Sequence, residues 1–143
     1  MPADIRLFTL EEANALAQEL APGLRRLIEL RARLAEIDLK GEVLGLTVSA
    51  GGTAQNAEAR ELRELQARRV AMATEISEGI RLIHDRGCLL KDLESGLLDF
   101  YTLVGDRLVF LCWKLGEPEI THWHTLQSGF AGRQPLSRLH EIE

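Results

Sequence analysis

The sequence predicts an α+β fold: a long antiparallel helical hairpin, then a small antiparallel sheet of three or four strands and a glycine-rich C-terminal loop. Three observations carry that expectation. Apolar residues recur every three or four positions through two long stretches of the first 84 residues. After Gly87 the period shortens to runs of branched and aromatic residues separated by turn signals. Glycine and proline then punctuate the segment from Gly116 to Pro135. At 143 residues the chain is about one domain long, with residues 8–86 expected as the hairpin and 87–136 as a sheet and loop subdomain.

The first helix should begin at Thr9, because a Thr followed three positions later by Glu12 forms a capping box in which each side chain takes the other's free amide. From Leu10 the stripe runs through Ala13, Ala17, Leu20, Leu24, Leu27 and Leu34, with Arg31 in the one interrupted slot. A helix to about Asp38 would be roughly 43 Å long. Pro22 removes one amide bond inside it and predicts a bend. Gly41 to Gln55 breaks the period: either the helix runs on past Gly41, the simpler reading, or the connection has a role of its own. Ser49-Ala50-Gly51-Gly52-Thr53 reads as an exposed tip. The second helix, from about Ala54 to His84, carries Leu62, Leu65, Met72, Ile76, Ile80 and Ile83, and Gly87 suits a left-handed cap at its end.

Cys88 to Leu93 reads as a short strand, Glu94-Ser95-Gly96 as a turn, and Leu97 to Val104 as a second strand. Gly105-Asp106 is a two-residue turn signal before a third strand, Arg107 to Leu115. Pro118 breaks the ladder, and Glu119 to Thr125 is a candidate fourth strand. Ser128 to Pro135 is the glycine-rich loop.

Hydrophobic residues at 45% and charged residues at 27% describe an ordinary globular protein. A formal net charge of -5 argues against nucleic acid as a partner, since phosphates demand a basic face. No apolar run approaches the roughly 20 residues of a membrane span. The opening residues show no basic segment leading into an apolar one, so no secretory signal is expected. A cytoplasmic location and two reduced thiols, Cys88 and Cys112, follow as the default.

Unusual chemistry is concentrated between Leu108 and Leu136, which holds both tryptophans, one cysteine and two of the four histidines. On a strand, His122 and His124 point to one face, a spacing that can chelate a divalent metal ion through two imidazoles. Completing ligands would come from Glu117, Asp92, Asp99, Cys88 and Cys112. Asp99 stands out because a carboxylate between Leu98 and Phe100 is costly to bury without a partner. The competing reading puts Asp99 on a wet face or against Arg107 or Arg133, and has His124 simply hydrogen-bonded to a carboxylate or a backbone carbonyl. Trp113 and Trp123 read first as core anchors, with Trp123 the one aromatic candidate for lining a ligand.

Gly129 and Gly132 with Arg133 suggest a site for a small anionic ligand, the glycines admitting close backbone approach and the guanidinium gripping a carboxylate or phosphate. The alternative is a structural Arg133 paired with Asp92, Asp99 or Glu117. No nucleophile elbow, Cys-x-x-Cys or dinucleotide fingerprint occurs.

The segments Phe8-Thr9-Leu10-Glu11-Glu12-Ala13-Asn14, Cys88 to Phe100, Leu111-Cys112-Trp113 with Leu115-Gly116-Glu117, and Trp123-His124 followed by Gly129-Phe130-Ala131-Gly132-Arg133-Gln134-Pro135 together resemble the bacterial domain-of-unknown-function family numbered 2203. The resemblance covers nearly the whole length. It implies a small soluble bacterial protein and no particular activity.

Three functions compete at this level. One is a binding protein holding a metal ion or small anion at the sheet end. Another is an interaction module that self-associates through the hairpin, whose long apolar stripes seek cover. The third is a metal-assisted hydrolase with Glu117 or Asp99 as base.

Overall fold

The computed structural model describes residues 5–51 and 57–137. Helix α1 spans Leu10–Gly51 and α2 spans Ala57–Asp85. Among the described residues five strands follow, β1 Leu89–Asp92, β2 Leu97–Val104, β3 Arg107–Lys114, β4 His122–Thr125 and β5 Gln134–Pro135, with a 3-10 turn at Phe130–Gly132 before the last. The strands lie side by side in chain order, every neighbouring pair antiparallel.

The helical hairpin and the α+β class are as the sequence predicts, and the capping box forms as drawn. The Thr9 amide donates to Glu12 Oε1 at 2.9 Å and the Glu12 amide to Thr9 Oγ1 at 3.1 Å. These bonds hold the Glu12 carboxyl below its ordinary range. Helix α2 ends where Gly87 adopts φ +96°, with its amide on the His84 carbonyl at 2.9 Å.

Helix α1 runs on beyond Asp38, through Gly41 and Gly45 to Gly51. A glycine costs a helix only about 1 kcal/mol against alanine, and ion pairs between the helices, Asp38 with Arg69 and Lys40 with Glu61, flank this segment. The expected tip at Ser49 to Thr53 is therefore helical as far as Gly51, and Gly52 and Thr53 lie outside the described residues.

The sheet has five strands where three or four were expected. The fifth forms from the presumed glycine-rich loop, whose residues Gln134 and Pro135 pair with Trp123 and His122. Pro135 is tolerated because it sits on an edge strand. β4 is shorter than Glu119 to Thr125 because the Ile120 amide turns to Asn14 Oδ1 at 2.7 Å instead of joining the ladder.

Two compact units divide the chain. One comprises Arg26–Gly79 and is the helical hairpin proper, with Leu27, Leu30, Ile37, Ala59 and Leu65 buried in its seam. Gly79 is required there, since an added Cβ would lie 2.5 Å from Leu27 Cδ2. The other joins the chain up to Arg25 with everything from Ile80 onward, and so contains the whole sheet and the helix segments nearest it.

In that second unit the sheet's two faces differ. Leu98, Phe100 and Val104 of β2, Val109 and Leu111 of β3 and Trp123 of β4 alternate onto one face, and all are buried. Phe8 meets Phe100 edge-on at 5.2 Å, and Leu16, Ala17 and Leu24 of α1 add to the core. The opposite face carries Asp99, Phe110, Cys112 and His124, which are also buried.

Candidate metal centre

β2 places Asp99 opposite Cys112 on β3, and β3 places Phe110 opposite His124 on β4. Asp99 and His124 thus lie two strands apart and offset by one non-adjacent pair. His124 Nε2 comes within 3.0 Å of both carboxylate oxygens of Asp99. The two residues are 2% and 3% exposed, and Cys112 is 1% exposed beside them. One donor atom from each of Asp99, Cys112 and His124 fits within a mutual distance of 4.8 Å.

The imidazole's other nitrogen fixes the chemistry. His124 Nδ1 lies 2.8 Å from the Thr125 carbonyl oxygen, which can only accept, so Nδ1 carries the hydrogen. A neutral ring then presents its Nε2 lone pair to the Asp99 carboxylate. That contact is favourable only when a proton or a cation lies between the two groups. Burial pushes the Asp99 carboxyl above its ordinary range, opposed by its contact with His124 and then by the Lys91 charge. Burial and the neighbouring Asp99 charge push the Cys112 thiol up to about 12, with Arg133 acting in the other direction. The cluster is poor as a nucleophile site, since both ring nitrogens are engaged and the thiolate is disfavoured. As a ligand set it is well formed, because a metal-bound histidine characteristically donates its second ring N–H to a carbonyl.

A cavity of about 110 Å³ opens over the cluster. Leu97, Phe110, Leu126 and Phe130 supply apolar wall, and Lys91 lies at its edge. The segment after β4 forms the cover, pinned where the Thr125 and Ser128 hydroxyls meet at 2.9 Å and Ser128's amide donates to Thr125 Oγ1 at 3.1 Å.

Residues 6–136 match the family described as an uncharacterized conserved protein, DUF2203. The chain belongs to the DUF2203 family. No curated protein and no solved structure matches it. The family assignment agrees with the resemblance read from the sequence, and it names no activity.

Of the residues singled out from the sequence, this DUF2203 chain brings Asp99, His124 and Cys112 together, with Gly129 lining the cavity over them. Glu117 accepts from Arg133 Nη2 at 2.9 and 3.0 Å and from the Lys114 amide at 2.7 Å. Asp92 caps the following turn, accepting from the Ser95 amide at 3.3 Å and from its hydroxyl. His122 shares the face of His124 and lies directly across from Cys112, yet its Nδ1 is 2.8 Å from Thr121 Oγ1. Cys88 is buried against the Ile83 carbonyl at the end of α2, its thiol pushed up to about 11 by burial.

The proposed anion residues also have structural roles. Arg133 bonds Glu117 and the Cys112 carbonyl, and its guanidinium stacks 4.7 Å from the Phe130 ring centre. Gly132 packs so closely on Ser128 that a Cβ would come within 2.6 Å of the serine Cβ. Trp123 belongs to the opposite, fully packed face. Gly129 lines the cavity. Lys91 and Phe130 also line it and were not singled out, because nothing in their sequence neighbourhood marks them.

Proposed function

We propose that this protein binds one divalent transition-metal ion through His124 Nε2, Cys112 Sγ and an Asp99 carboxylate oxygen. The observation that carries the reading is the orientation of His124: its Nδ1–H is committed to a backbone carbonyl, which aims Nε2 at a buried carboxylate beside a thiol. A mixed nitrogen, sulfur and oxygen set selects zinc-like ions over magnesium or calcium, which prefer oxygen alone. Three protein ligands leave one position for a further group, and the cavity supplies room for it.

Metal analysis of the purified chain, with zinc and cobalt titrations under reducing conditions, tests this. One equivalent should bind to the wild type and be lost in His124→Ala and Cys112→Ala. Failure of the wild type to bind either ion stoichiometrically would leave Asp99 and His124 as a structural pair sharing a proton. A cytoplasmic location suits the reading, since the site needs Cys112 reduced.

Self-association through the helical hairpin is a compatible second reading. Leu39, Val43 and Leu46 of α1 are spaced four and three apart and are 65%, 57% and 74% exposed. An apolar stripe of this kind favours a second copy of the chain. Light scattering at micromolar concentration tests it: a dimer is expected for the wild type, and a monomer would remove the idea. Among the described residues no helix is long and apolar enough to cross a membrane.

A further inference from the structure

We infer that the cavity over Asp99, Cys112 and His124 receives a small monoanion, a carboxylate of the size of formate or acetate, as the ion's remaining ligand; this rests on the metal reading above. Charge and volume both lead there. A dication, one carboxylate, one thiolate and one neutral imidazole sum to zero. Lys91 then adds a single positive charge at the cavity edge, its ammonium 5.1 Å from the Phe110 ring centre. Its charge acts on the Asp99 carboxyl, which the sum above already counts against the ion. Arg133, the other nearby cation, is already matched by Glu117. The site is thus one negative charge short of balance.

The space sets the size. About 110 Å³ is roughly the room of three to four waters at about 30 Å³ each, which suits a carboxylate with one or two carbons. Leu97, Leu126 and Phe130 give a short hydrocarbon tail an apolar wall. Excluding water there strengthens the attraction between the anion, the ion and Lys91.

The full chain loaded with cobalt provides the test. A thiolate-to-cobalt charge-transfer band reports ligation by Cys112, and the visible ligand-field bands report what occupies the remaining position. Acetate should change the visible bands saturably, whereas citrate should not. At saturating cobalt, acetate should bind Lys91→Met about tenfold more weakly than the wild type. Absence of the charge-transfer band would overturn the metal reading and this inference with it. A normal band with visible absorption indifferent to acetate, or equally responsive to citrate, would overturn the inference alone, as would an acetate affinity unchanged in Lys91→Met.

Discussion

Arg133, in the segment that covers the Asp99 cavity, is paired with Glu117, Nη2 of the arginine lying 2.9 and 3.0 Å from the two oxygens of the glutamate. Their side chains are only 13% and 25% exposed, so the pair is shielded from water more than a surface ion pair. Because Arg133 also bonds the Cys112 carbonyl and stacks on Phe130, it ties the cover to β3.

Arg133→Met should therefore cost about 1–3 kcal/mol, the penalty of leaving a half-buried carboxylate without its partner. Urea denaturation measures the loss. Amide exchange should locate it, with amides of residues 126–134 exchanging faster while those of β2 and β3 keep their protection. Uniform acceleration through the sheet would show that the pair supports the whole unit and has no special hold on the cover.

The buried Asp99–His124 contact makes a sharper contrast. Asp99→Ala should destabilise the metal-free protein by about 3 kcal/mol, since His124 Nε2 is left buried with no partner. Asp99→Asn keeps a group of the same shape that can donate to Nε2 and should cost less than half as much. Equal losses in the two variants, read by urea denaturation, would mean that packing and not the polar contact matters at this position.

Metal binding should be pH-dependent with a defined sign. The Cys112 thiol, pushed up to about 12, is protonated throughout the neutral range and must release its proton to become a ligand. Affinity therefore rises with pH, about tenfold per unit for each proton displaced. Competition titrations at several pH values measure it. Affinity that stays flat with pH would be incompatible with a thiol ligand.

Much of this architecture can be read from residue order. The capping box, the boundaries of β2, and the turn at Gly105, whose φ is +63°, all depend on neighbours within a few residues. The metal candidates were only partly legible because the choice among them depends on strand register. Alternation within one strand puts His122 and His124 on one face, but only the pairing of β2, β3 and β4 brings Asp99 and Cys112 onto it. Alternation does not say that His124 will reach diagonally to Asp99 while His122 turns to Thr121. Asp92 and Glu117 were lost to local partners, Ser95 and the Lys114 amide, that a search for ligands does not weigh. β5 escaped notice because two residues carry no periodicity.

The glycines test the reading in which the first helix runs on past Gly41, which α1 bears out. Gly41 and Gly45 lie inside α1 with open space where a Cβ would stand. Each change to alanine should stabilise the protein by about 0.5–1 kcal/mol. Gly87→Ala should do the reverse, costing about 1–3 kcal/mol, because φ is +96° and the new Cβ would come 2.7 Å from that of Arg6. Thermal melts of the three variants check both signs. A destabilised Gly41→Ala would mean that some partner outside the isolated chain occupies that helix face.

The side-by-side strand order bears on how the donor set is completed during synthesis. The β2–β3 hairpin unites Asp99 with Cys112 using only contacts between successive segments, whereas the imidazole arrives with the next strand. A nascent chain thus holds an oxygen and a sulfur donor, too few for firm capture, until residue 124 has left the ribosome. Loading with the proposed ion would in this way wait for β4, and so follow the synthesis of both helices.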